Sequence, residues 1–573
     1  MKKGLFSCLI MIINLYSILT FLFISLHGRG LFLVIKKLFK VNFFKSNLTI
    51  TPVYGLISIF VLTNQLIILN FFYSLNEILI PFWIVNFLIA SVGLNKITIG
   101  IKKIYILFIP FILSISSYGQ KVNVDVETYG ILHQFLIRNS EILFGHINIF
   151  WRLGLNSSLS YLNASLWLDN DFLLNHLLAV SIFSLFFTFL YEGLFISKNK
   201  FYFFFSLYLI IYSLLDNFGI NGGANGFVSF QMTGAVDSVI AIYFVFSVFY
   251  TFYLLNIQEI KNVDYLIVSA LILFTFQLKT TGAFIFVTYI ILNIFYLKFN
   301  TISVKEFLKT NTILYIIGFL YLLKNILSTG CLIYPVGVTC LKKLPWYKEG
   351  LYSRTSELAG DWYLAYSFKD NLVEWFQIWF QQTKNYQILS NFLISFIILS
   401  IFYILLVKKQ YNKNYLLFLL QVFVGFLILM ATIPTPRFAF GLFTLLSGSF
   451  AFFSKDFKYK INNNNLLLLL IFFFSLSLTN RLYSYQSYFE SPIEQVEVKS
   501  QILDNLKKEG SLITPKELII MKNCKNVNNC LIDFSIFQTK EFYKYKYIVN
   551  DDFRLPTTAT HEDYWEDFIF KNN

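Results

Sequence analysis

Long apolar segments recur along the chain between residues 5 and 478, and short stretches between them hold the charged residues. A segment inside lipid must satisfy its own backbone hydrogen bonds, which only a helix or a closed β-barrel achieves. A barrel strand alternates apolar and polar residues over about ten positions, whereas residues 466–478 are continuously apolar. The pattern therefore predicts an all-α protein that crosses a membrane many times.

Fourteen apolar segments are candidate membrane spans. They comprise residues 5–26, 53–73, 78–92, 104–117, 172–196, 201–215, 238–255, 265–278, 282–297, 312–327, 392–407, 415–433, 438–453 and 466–478. Several are shorter than the roughly 20 residues that a full crossing requires. We therefore expect a bundle of about 12–14 transmembrane helices.

The composition supports a membrane location. Of the 573 residues, 56% are hydrophobic and only 14% are charged, whereas about 25% are charged in soluble domains. The net charge of +14 does not indicate nucleic-acid binding, because the basic residues form no single stripe with interleaved aromatic residues. The expected partner is the lipid bilayer, and no nucleic acid is expected.

The basic residues cluster between the predicted spans, on one side of the membrane. The clusters are Arg29, Lys36, Lys37, Lys40 and Lys45; Lys96, Lys102 and Lys103; Lys198 and Lys200; Lys305 and Lys309; Lys408, Lys409 and Lys413; and Lys455, Lys458 and Lys460. Cytoplasmic loops carry an excess of Lys and Arg. We therefore predict that this side is cytoplasmic.

This orientation places both termini and the three longest polar regions outside. These regions are residues 118–171, residues 328–391 and the tail from residue 480. We expect a transmembrane domain over residues 1–480 and an extracytoplasmic C-terminal tail over residues 481–573, with mixed helix and strand signals that include residues 544–549. A signal peptide at residues 1–26 is the alternative for the first span, although no small-residue cleavage site follows.

The cysteines fit the same orientation. Cys331 and Cys340 share one outer region, Cys524 and Cys530 share the tail, and Cys8 lies alone in an apolar span. Two local disulfides are compatible with an oxidising compartment, and free thiols are the alternative. The spacing supports no structural zinc site.

Candidate chemical groups follow a predicted span in the first outer region. Carboxylates such as Asp125 and Glu127 can deprotonate a hydroxyl or hold a divalent cation, or they can simply solvate a loop or cap a helix. One side chain of Asn156, Ser157 and Ser158 is expected to cap the following helix. Arg152 can bind phosphate or anchor the chain at the interface.

Three cations at outer ends of spans oppose the positive-inside trend: Lys279, Lys324 and Arg437. A cation at this depth needs a partner, and an anionic lipid phosphate is the natural one. Asp237 is the alternative counter-ion, and snorkelling to the interface is the alternative for Lys324.

Helix-breaking residues follow Lys324. Gly330 and Pro335 are predicted to end the helix and start a sharp turn. Pro345 with Trp346, and residues 362–380, are predicted to form amphipathic helices on the membrane surface.

In motif order, residues 100–450 resemble the GT-C superfamily, membrane glycosyltransferases that use polyprenyl-phosphate-linked sugars, and especially an uncharacterised bacterial membrane family related to it. The resemblance is carried by Asp125 with Tyr129, by Gly154-Leu155-Asn156-Ser157-Ser158, by Lys324-Asn325 with Gly330 and Tyr334-Pro335, and by Pro436-Arg437-Phe438. The related family commonly has a His after the Tyr, whereas this chain has Gly130, with His133 three residues later.

The resemblance implies a GT-C-like helical bundle with outer-face amphipathic helices. It also implies transfer of a sugar from a polyprenyl-phosphate donor to a cell-surface glycan or lipid acceptor, on the outer face of a bacterial plasma membrane. Asp125 would be the base or the ligand of a divalent cation such as Mg²⁺ or Mn²⁺, assisted by Glu127. The residues expected to bind the donor phosphate or substrate are Arg152, Asn156, Lys279, Lys324, Tyr334 and Arg437.

Two other functions remain open from the sequence. A transporter or flippase for lipid-linked glycans also has many helices and buried charges, but it usually places its polar groups near mid-bilayer. A polysaccharide polymerase would also act from outer loops, but only Arg354 lies in the largest of them.

Overall fold

The computed structural model describes most of the predicted transmembrane domain and four short strands of the tail. The described residues are 2–39, 50–95, 104–116, 121–122, 130–148, 151–155, 157–167, 173–217, 232–233, 236–300, 303–349, 371–410, 412–432, 434–458, 530–532, 538–542, 545–549 and 570–572.

Helices dominate the described residues. They are α1 (Lys2–Phe39), α2 (Ile50–Asn70), α3 (Leu75–Gly93), α4 (Tyr105–Ser116), α5 (Ile131–Asn139), α6 (Leu159–Ser165), α7 (Leu173–Phe195), α8 (Lys200–Asn217), α9 (Asp237–Ile257), α10 (Asn262–Leu278), α11 (Phe286–Asn300), α12 (Val304–Thr329), α13 (Leu372–Gln381), α14 (Thr383–Leu406), α15 (Tyr415–Thr432) and α16 (Phe440–Gly448). Short 3₁₀ helices cover His146–Asn148, Trp151–Leu155, Thr280–Ile285, Gly337–Thr339, Pro436–Ala439 and Ser449–Phe453.

Each predicted span before residue 454 coincides with a helix, and the last one, 466–478, lies outside the described residues. Within the described part of the chain, eight helices are long and apolar enough to cross a membrane. These are α1, α2, α3, α7, α9, α11 with the 3₁₀ turn before it, α12 and α14. The shorter apolar helices are α4, α8, α10, α15 and α16 with its following 3₁₀ turn.

The first helix is longer than predicted. The predicted span ends at residue 26, but α1 continues to Phe39, so Arg29, Lys36 and Lys37 lie in a helix and the prediction of a loop there is wrong. Arg29 explains part of this extension, because its guanidinium donates hydrogen bonds to the carbonyls of Gly93 and Asn95, each at 2.9 Å. Those carbonyls end α3, where a helix leaves its acceptors without intrahelical partners.

The centre of the bundle is α9, which is buried on every side between Ser238 and Leu255. A helix that is apolar all round belongs in the interior, and α7, α10, α11 and α16 pack around it. By contrast, α3, α12 and α14 expose rows of large apolar side chains such as Ile80, Phe319 and Ile397. Exposed apolar rows of this kind suit contact with lipid.

Polar contacts at one end of the bundle involve the predicted cytoplasmic loops; we call this the basic end. There β3 (Val407–Lys409) pairs antiparallel with β4 (Ser454–Phe457). Lys200 forms an exposed ion pair with Asp456 at 2.9 Å. The basic clusters Lys198 to Lys200, Lys408 to Lys409 and Lys455 to Lys458 therefore meet at one end, as their sequence positions predicted.

Short elements occupy the opposite end, which we call the loop end. It carries α5, α6, α13 and the turn after α12, and β1 (Lys121–Val122) pairs parallel with β2 (Met232–Thr233). Within the segment 362–380, predicted as a helix on the membrane surface, the structure confirms a helix for α13, and 362–370 lie outside the described residues. The position of α13 at the membrane surface stays a prediction. Pro345 and Trp346 form a turn, so the prediction of a helix there is wrong.

Four strands are described in the tail. β6 (Gln538–Phe542) and β7 (Tyr545–Val549) form an antiparallel hairpin, so a strand forms where the sequence shows mixed helix and strand signals. β5 (Cys530–Ile532) pairs antiparallel with β8 (Phe570–Asn572).

Candidate functional site

Backbone hydrogen bonds attach the first outer region to the helix ends below it. The Ile142 amide donates to the Asn70 carbonyl at the end of α2 (3.0 Å), and the Gly145 amide donates to Leu327 of α12 (2.8 Å). The Ser158 amide donates to the carbonyl of Gln277 at the end of α10 (3.2 Å). These contacts hold α5, α6 and the 3₁₀ turns at the loop end.

The start of α6 has one side-chain acceptor from the Asn-Ser-Ser sequence. Ser158 is the N-cap residue and makes no side-chain cap hydrogen bond, but the Ser157 hydroxyl accepts a hydrogen bond from the Leu159 amide at 3.1 Å. A side-chain oxygen in this position satisfies a free amide of the first helical turn. The predicted hydrogen bond is therefore present, although it comes from the residue before the N-cap.

The end of α12 is the sharp turn that the sequence predicted. Gly330 caps the helix with φ +81°, a left-handed conformation that costs glycine little. A disulfide between Cys331 and Cys340 closes the turn, and the Leu341 amide donates to the Gly330 carbonyl at 2.8 Å. Of the two predicted bridges, this one is present, and Cys524 lies outside the described residues while Cys530 begins β5.

Tyr334 from this turn packs on Gly154 of the first outer region. A Cβ atom on Gly154 would lie 2.6 Å from Cδ1 of the Tyr334 ring, so only glycine leaves room for the ring as it is placed. Tyr334 also packs with Ile147 and Cys331 in one small buried cluster. Two segments that carry the resemblance, far apart in sequence, are therefore in direct contact.

Trp346 fastens the second outer region to the same place. Its indole nitrogen donates to the Ile326 carbonyl of α12 at 2.9 Å, and its ring lies 5.3 Å from that of Phe144. The Asn148 side chain donates to the Trp346 carbonyl at 3.1 Å. Both outer regions are thus held against the last turn of α12.

Lys324, on that last part of α12, is buried, with 6% of its surface exposed. Its ammonium lies 5.7 Å from the ring centre of Tyr161 and 5.2 Å from that of Tyr321. No ion pair to Lys324 occurs among the side chains that the structure describes. Aromatic rings attract a cation only weakly, so its charge is largely uncompensated by those side chains.

Two buried histidines lie beside Lys324. The rings of His133 on α5 and His146 are edge to face, 5.6 Å apart, and His133 is 6.1 Å from the ring of Tyr161. Burial lowers the pKa of His133 well below its ordinary value, and the charges of His146 and Lys324 add to this effect. Burial, with Lys324, also lowers the pKa of His146, to about 3.

Both histidines are therefore neutral near pH 7. His146 hydrogen-bonds to the backbone at Leu153, which favours its protonated form, so the nitrogen in that bond donates to the carbonyl. The second nitrogen of a neutral imidazole is then an acceptor. Nδ1 of His133 is buried and has no hydrogen-bond partner in the described part of the chain.

The second predicted cation, Lys279, has a carboxylate partner. Its ammonium lies 3.0 Å from Oδ1 of Asp237, the first residue of α9, and 4.2 Å from the ring centre of Phe438. Asp237 is thus the counter-ion that the sequence offered as an alternative to phosphate. A cleft beside this pair is lined by Ile240, Phe244 and Phe284 together with Phe438.

The remaining predicted site residues differ in how far they are described. Asp125, Glu127 and Asn156 lie outside the described residues. Arg152 is half-buried in the 3₁₀ helix Trp151–Leu155, and Arg437 belongs to the 3₁₀ helix Pro436–Ala439. The structure thus brings Lys324, Tyr334 and the Trp151–Leu155 turn to one place and pairs Lys279 with Asp237.

Polar residues of this end that the sequence did not single out are His146, Arg138, Asn64 and Gln277. The amides of Asn64 and Gln277 exchange two hydrogen bonds of 3.1 Å between α2 and α10. The Arg138 guanidinium donates to the Ala164 carbonyl and lies 5.5 Å above the Trp167 ring. A polar residue in an apolar segment is the signal they share, because burial requires a partner.

The described ranges contain no group of three His, Cys, Asp or Glu side chains placed to hold a metal ion. The predicted metal ligand, Asp125, lies outside those ranges.

A bundle of long apolar helices with its charged residues gathered at the two ends defines a multi-pass membrane protein of the all-α class. The chain belongs to the family described as a domain of unknown function, DUF8201, which matches residues 9–444. No curated protein matches the chain, and no solved structure matches it.

Proposed function

We propose that this protein is a GT-C-type glycosyltransferase. It transfers a sugar from a polyprenyl-phosphate donor to a cell-surface glycan or lipid acceptor, and its active site is the loop end of the bundle, on the outer face of the membrane. Sequence motifs first suggested this reaction. The arrangement of the described residues supports it in three respects.

The observation that carries the proposal is the environment of Lys324. A buried ammonium is costly unless an anion compensates it, and the contacts described for Lys324 are with two tyrosine rings and, through its charge, with two neutral histidines. An anionic group of the substrate would supply the missing charge. In the proposed reaction that group is the phosphate of the lipid donor.

The second support is the contact between Gly154 and Tyr334. The segments around these residues were matched to the superfamily in motif order alone, yet they pack against each other beside His146 and the end of α12. Residues that act on one substrate must be close in space. The convergence of these motifs is therefore what a common active site requires.

The third support concerns the segment before the proposed base. Val122, three residues before Asp125, pairs with Thr233, four residues before Asp237. Asp237 forms an ion pair with Lys279 at the loop end. Because Val122 is paired close to Asp237 in sequence, the segment that leads to Asp125 begins at the loop end. In the proposed mechanism Asp125 accepts the proton of the acceptor hydroxyl, and cations stabilise the departing phosphate.

The test replaces Asp125 by Asn in the producing cell and analyses the sugar composition of its surface glycans. Glu141→Gln is the matched control, since Glu141 is an exposed carboxylate of the same outer region. We expect Asp125→Asn to remove one sugar from a glycan at unchanged protein level, and Glu141→Gln to leave it intact. An intact glycan in the Asp125→Asn cells would contradict the proposal.

A second measurement separates transfer from transport. Membranes supplied with radiolabelled polyprenyl-phosphate sugars should release polyprenyl phosphate and form a labelled acceptor. A flippase would move the donor across the bilayer and leave the bond between sugar and phosphate unbroken.

A further inference from the structure

We infer that His133, His146 and Lys324 form a binding site for the phosphate monoester of a lipid, and that the site takes up a proton as this group enters. The inference rests on the proposed function in one respect, since a polyprenyl phosphate is the product released by the transferase. It adds His133 and His146 as phosphate-binding residues, and it adds proton uptake that is coupled to phosphate binding.

The geometry of the three side chains supports one common site. His133 comes from α5, His146 from the following 3₁₀ turn and Lys324 from α12, and the Gly145 amide ties that turn to α12 at Leu327. Tyr161 touches the cluster from α6, because its ring lies near both His133 and Lys324. Four separate elements therefore hold these groups in a fixed arrangement.

The hydrogen-bonding capacity of the cluster is incompletely used by the described residues. His133 is 2% exposed, yet its Nδ1 has no partner among them. One nitrogen of His146 is engaged by the Leu153 backbone and the other is not needed for that bond. Phosphate oxygens accept hydrogen bonds, so they would satisfy these nitrogens once a proton occupies them, and buried polar atoms generally have hydrogen-bond partners.

The charge of such a ligand decides the protonation of the histidines. Burial first, and then the ammonium of Lys324, disfavour the imidazolium form of both histidines, and the charge of His146 adds to this at His133. A dianion placed between them reverses this effect, because an opposite charge nearby favours the charged form. A proton from solvent then binds to an imidazole nitrogen, which becomes a second donor to the phosphate.

Within the described ranges, the other charged or titratable groups on the packed elements do not remove this effect. On α5, Arg138 donates to Ala164 and stacks over Trp167, and on α12 Tyr321 faces Lys324. Burial raises the pKa of Tyr161, so that hydroxyl stays neutral. Arg152, half-buried on the next 3₁₀ turn, can only add positive charge.

A monoester is favoured over a diester by this mechanism. The sugar donor carries its phosphate as a diester, which has one negative charge. The departing polyprenyl phosphate is a monoester, and above its second pKa of about 6 it carries nearly two negative charges. A site that gains a proton when a dianion forms stabilises the leaving group more than the bound donor. Interactions that strengthen along the reaction are those that accelerate it.

The test measures binding and proton uptake by calorimetry, with the full-length protein in lipid nanodiscs at pH 8. The probes are decyl phosphate, methyl decyl phosphate and inorganic phosphate, each titrated in two buffers with different ionisation enthalpies. We expect about one proton to be taken up per decyl phosphate, with about tenfold weaker binding for each pH unit above 8. Methyl decyl phosphate should bind more weakly, and the protein should take up fewer protons when it binds.

Variants assign the effect to the cluster. Lys324→Met should weaken decyl phosphate binding at least tenfold, whereas Lys309→Met, at the exposed opposite end of the same helix, should leave it unchanged. His133→Gln and His146→Gln should lower the proton count. Because a buried substitution can impair folding, the absence of proton uptake in the unmodified protein would by itself overturn the inference. A full proton count in both histidine variants would assign the uptake to Lys324 and would equally overturn the role of the histidines.

Binding of decyl phosphate without proton uptake would overturn the inference and leave the proposed transferase standing. Equal affinity for inorganic phosphate would overturn the assignment to a lipid. Conversely, proton-coupled binding together with an intact glycan in Asp125→Asn cells would uphold the site and refute the transferase.

Discussion

Gly154 lies directly against the aromatic ring of Tyr334, and a single added methyl group on Gly154 would overlap that ring at Cδ1 and Cε1. The contact joins the first outer region to the disulfide-closed turn after α12. Neither segment could be placed from its own sequence, since both are short and rich in turns. Their contact is what brings the candidate site residues of the two outer regions together.

Gly154→Ala should therefore destabilise the protein by about 1–3 kcal/mol, the usual range for an overpacked site. Thermal unfolding of the purified protein in detergent measures the change. Gly318→Ala is the control, because the nearest atom to its added Cβ is 3.6 Å away, and it should be neutral or stabilising by up to about 1 kcal/mol. Equal melting temperatures for Gly154→Ala and the unmodified protein would show that the ring is not packed there.

The paired amides of Asn64 and Gln277 predict a non-additive mutant pair. Asn64→Leu leaves the buried Gln277 amide without its partner, which should cost about 1–3 kcal/mol. Replacing both residues by Leu should cost less than the sum of the two single changes. Melting temperatures of the four proteins measure the coupling, and strictly additive losses would mean that the two amides do not interact.

Stability should fall in acid because His146 is neutral in the folded state. Its folded pKa of about 3 lies below the ordinary value of 6.5, so below pH 6.5 the unfolded chain binds a proton that the folded protein does not. The contribution of neutral His146 to the free energy of unfolding is intact above about pH 6.5. It is lost as the pH falls below this value, by about 1.4 kcal/mol per pH unit for one histidine. The pKa of His133 is shifted in the same direction.

Melting temperatures measured between pH 8 and pH 5 test this dependence. The decrease should become shallower in His146→Gln, which has no imidazole to protonate. An acid dependence equally steep in that variant would locate the effect elsewhere.

The disulfide predicts the state of two thiols in the protein as isolated. Without reductant, Cys331 and Cys340 should not react with maleimide after denaturation, and Cys331→Ala should expose one reactive thiol at Cys340. Closing a loop of this length stabilises by about 2–3 kcal/mol in the chain-entropy account. Reaction of both cysteines in the unreduced, unmodified protein would exclude the bridge.

The predicted helices were largely confirmed because a continuous apolar run in lipid has one way to satisfy its backbone. The prediction errs at α1 because it places Arg29 in a loop, whereas the partners of Arg29 are carbonyls at the end of α3. Charge alone does not end a helix when such acceptors are close.

The site was predictable to a smaller extent. Lys324 and Tyr334 are predictable from their positions at and after the end of a span, but the sequence leaves phosphate and Asp237 as alternatives for Lys279, and the structure shows the contact with Asp237. His146 and Gln277 were missed because their partners come from other helices. Sequence shows which polar groups need a partner, whereas the partner depends on the packing of the bundle.

Sidedness is the measurement that tests the account most directly, because the proposed chemistry requires the loop end to face outward. Val338, 96% exposed on the turn after α12, and Lys200 at the basic end are each replaced by Cys, with Cys524 and Cys530 changed to Ser. The account predicts that a membrane-impermeant maleimide labels Val338→Cys in intact cells and labels Lys200→Cys only after permeabilisation. Labelling of Lys200→Cys in intact cells, with Val338→Cys protected, would contradict it.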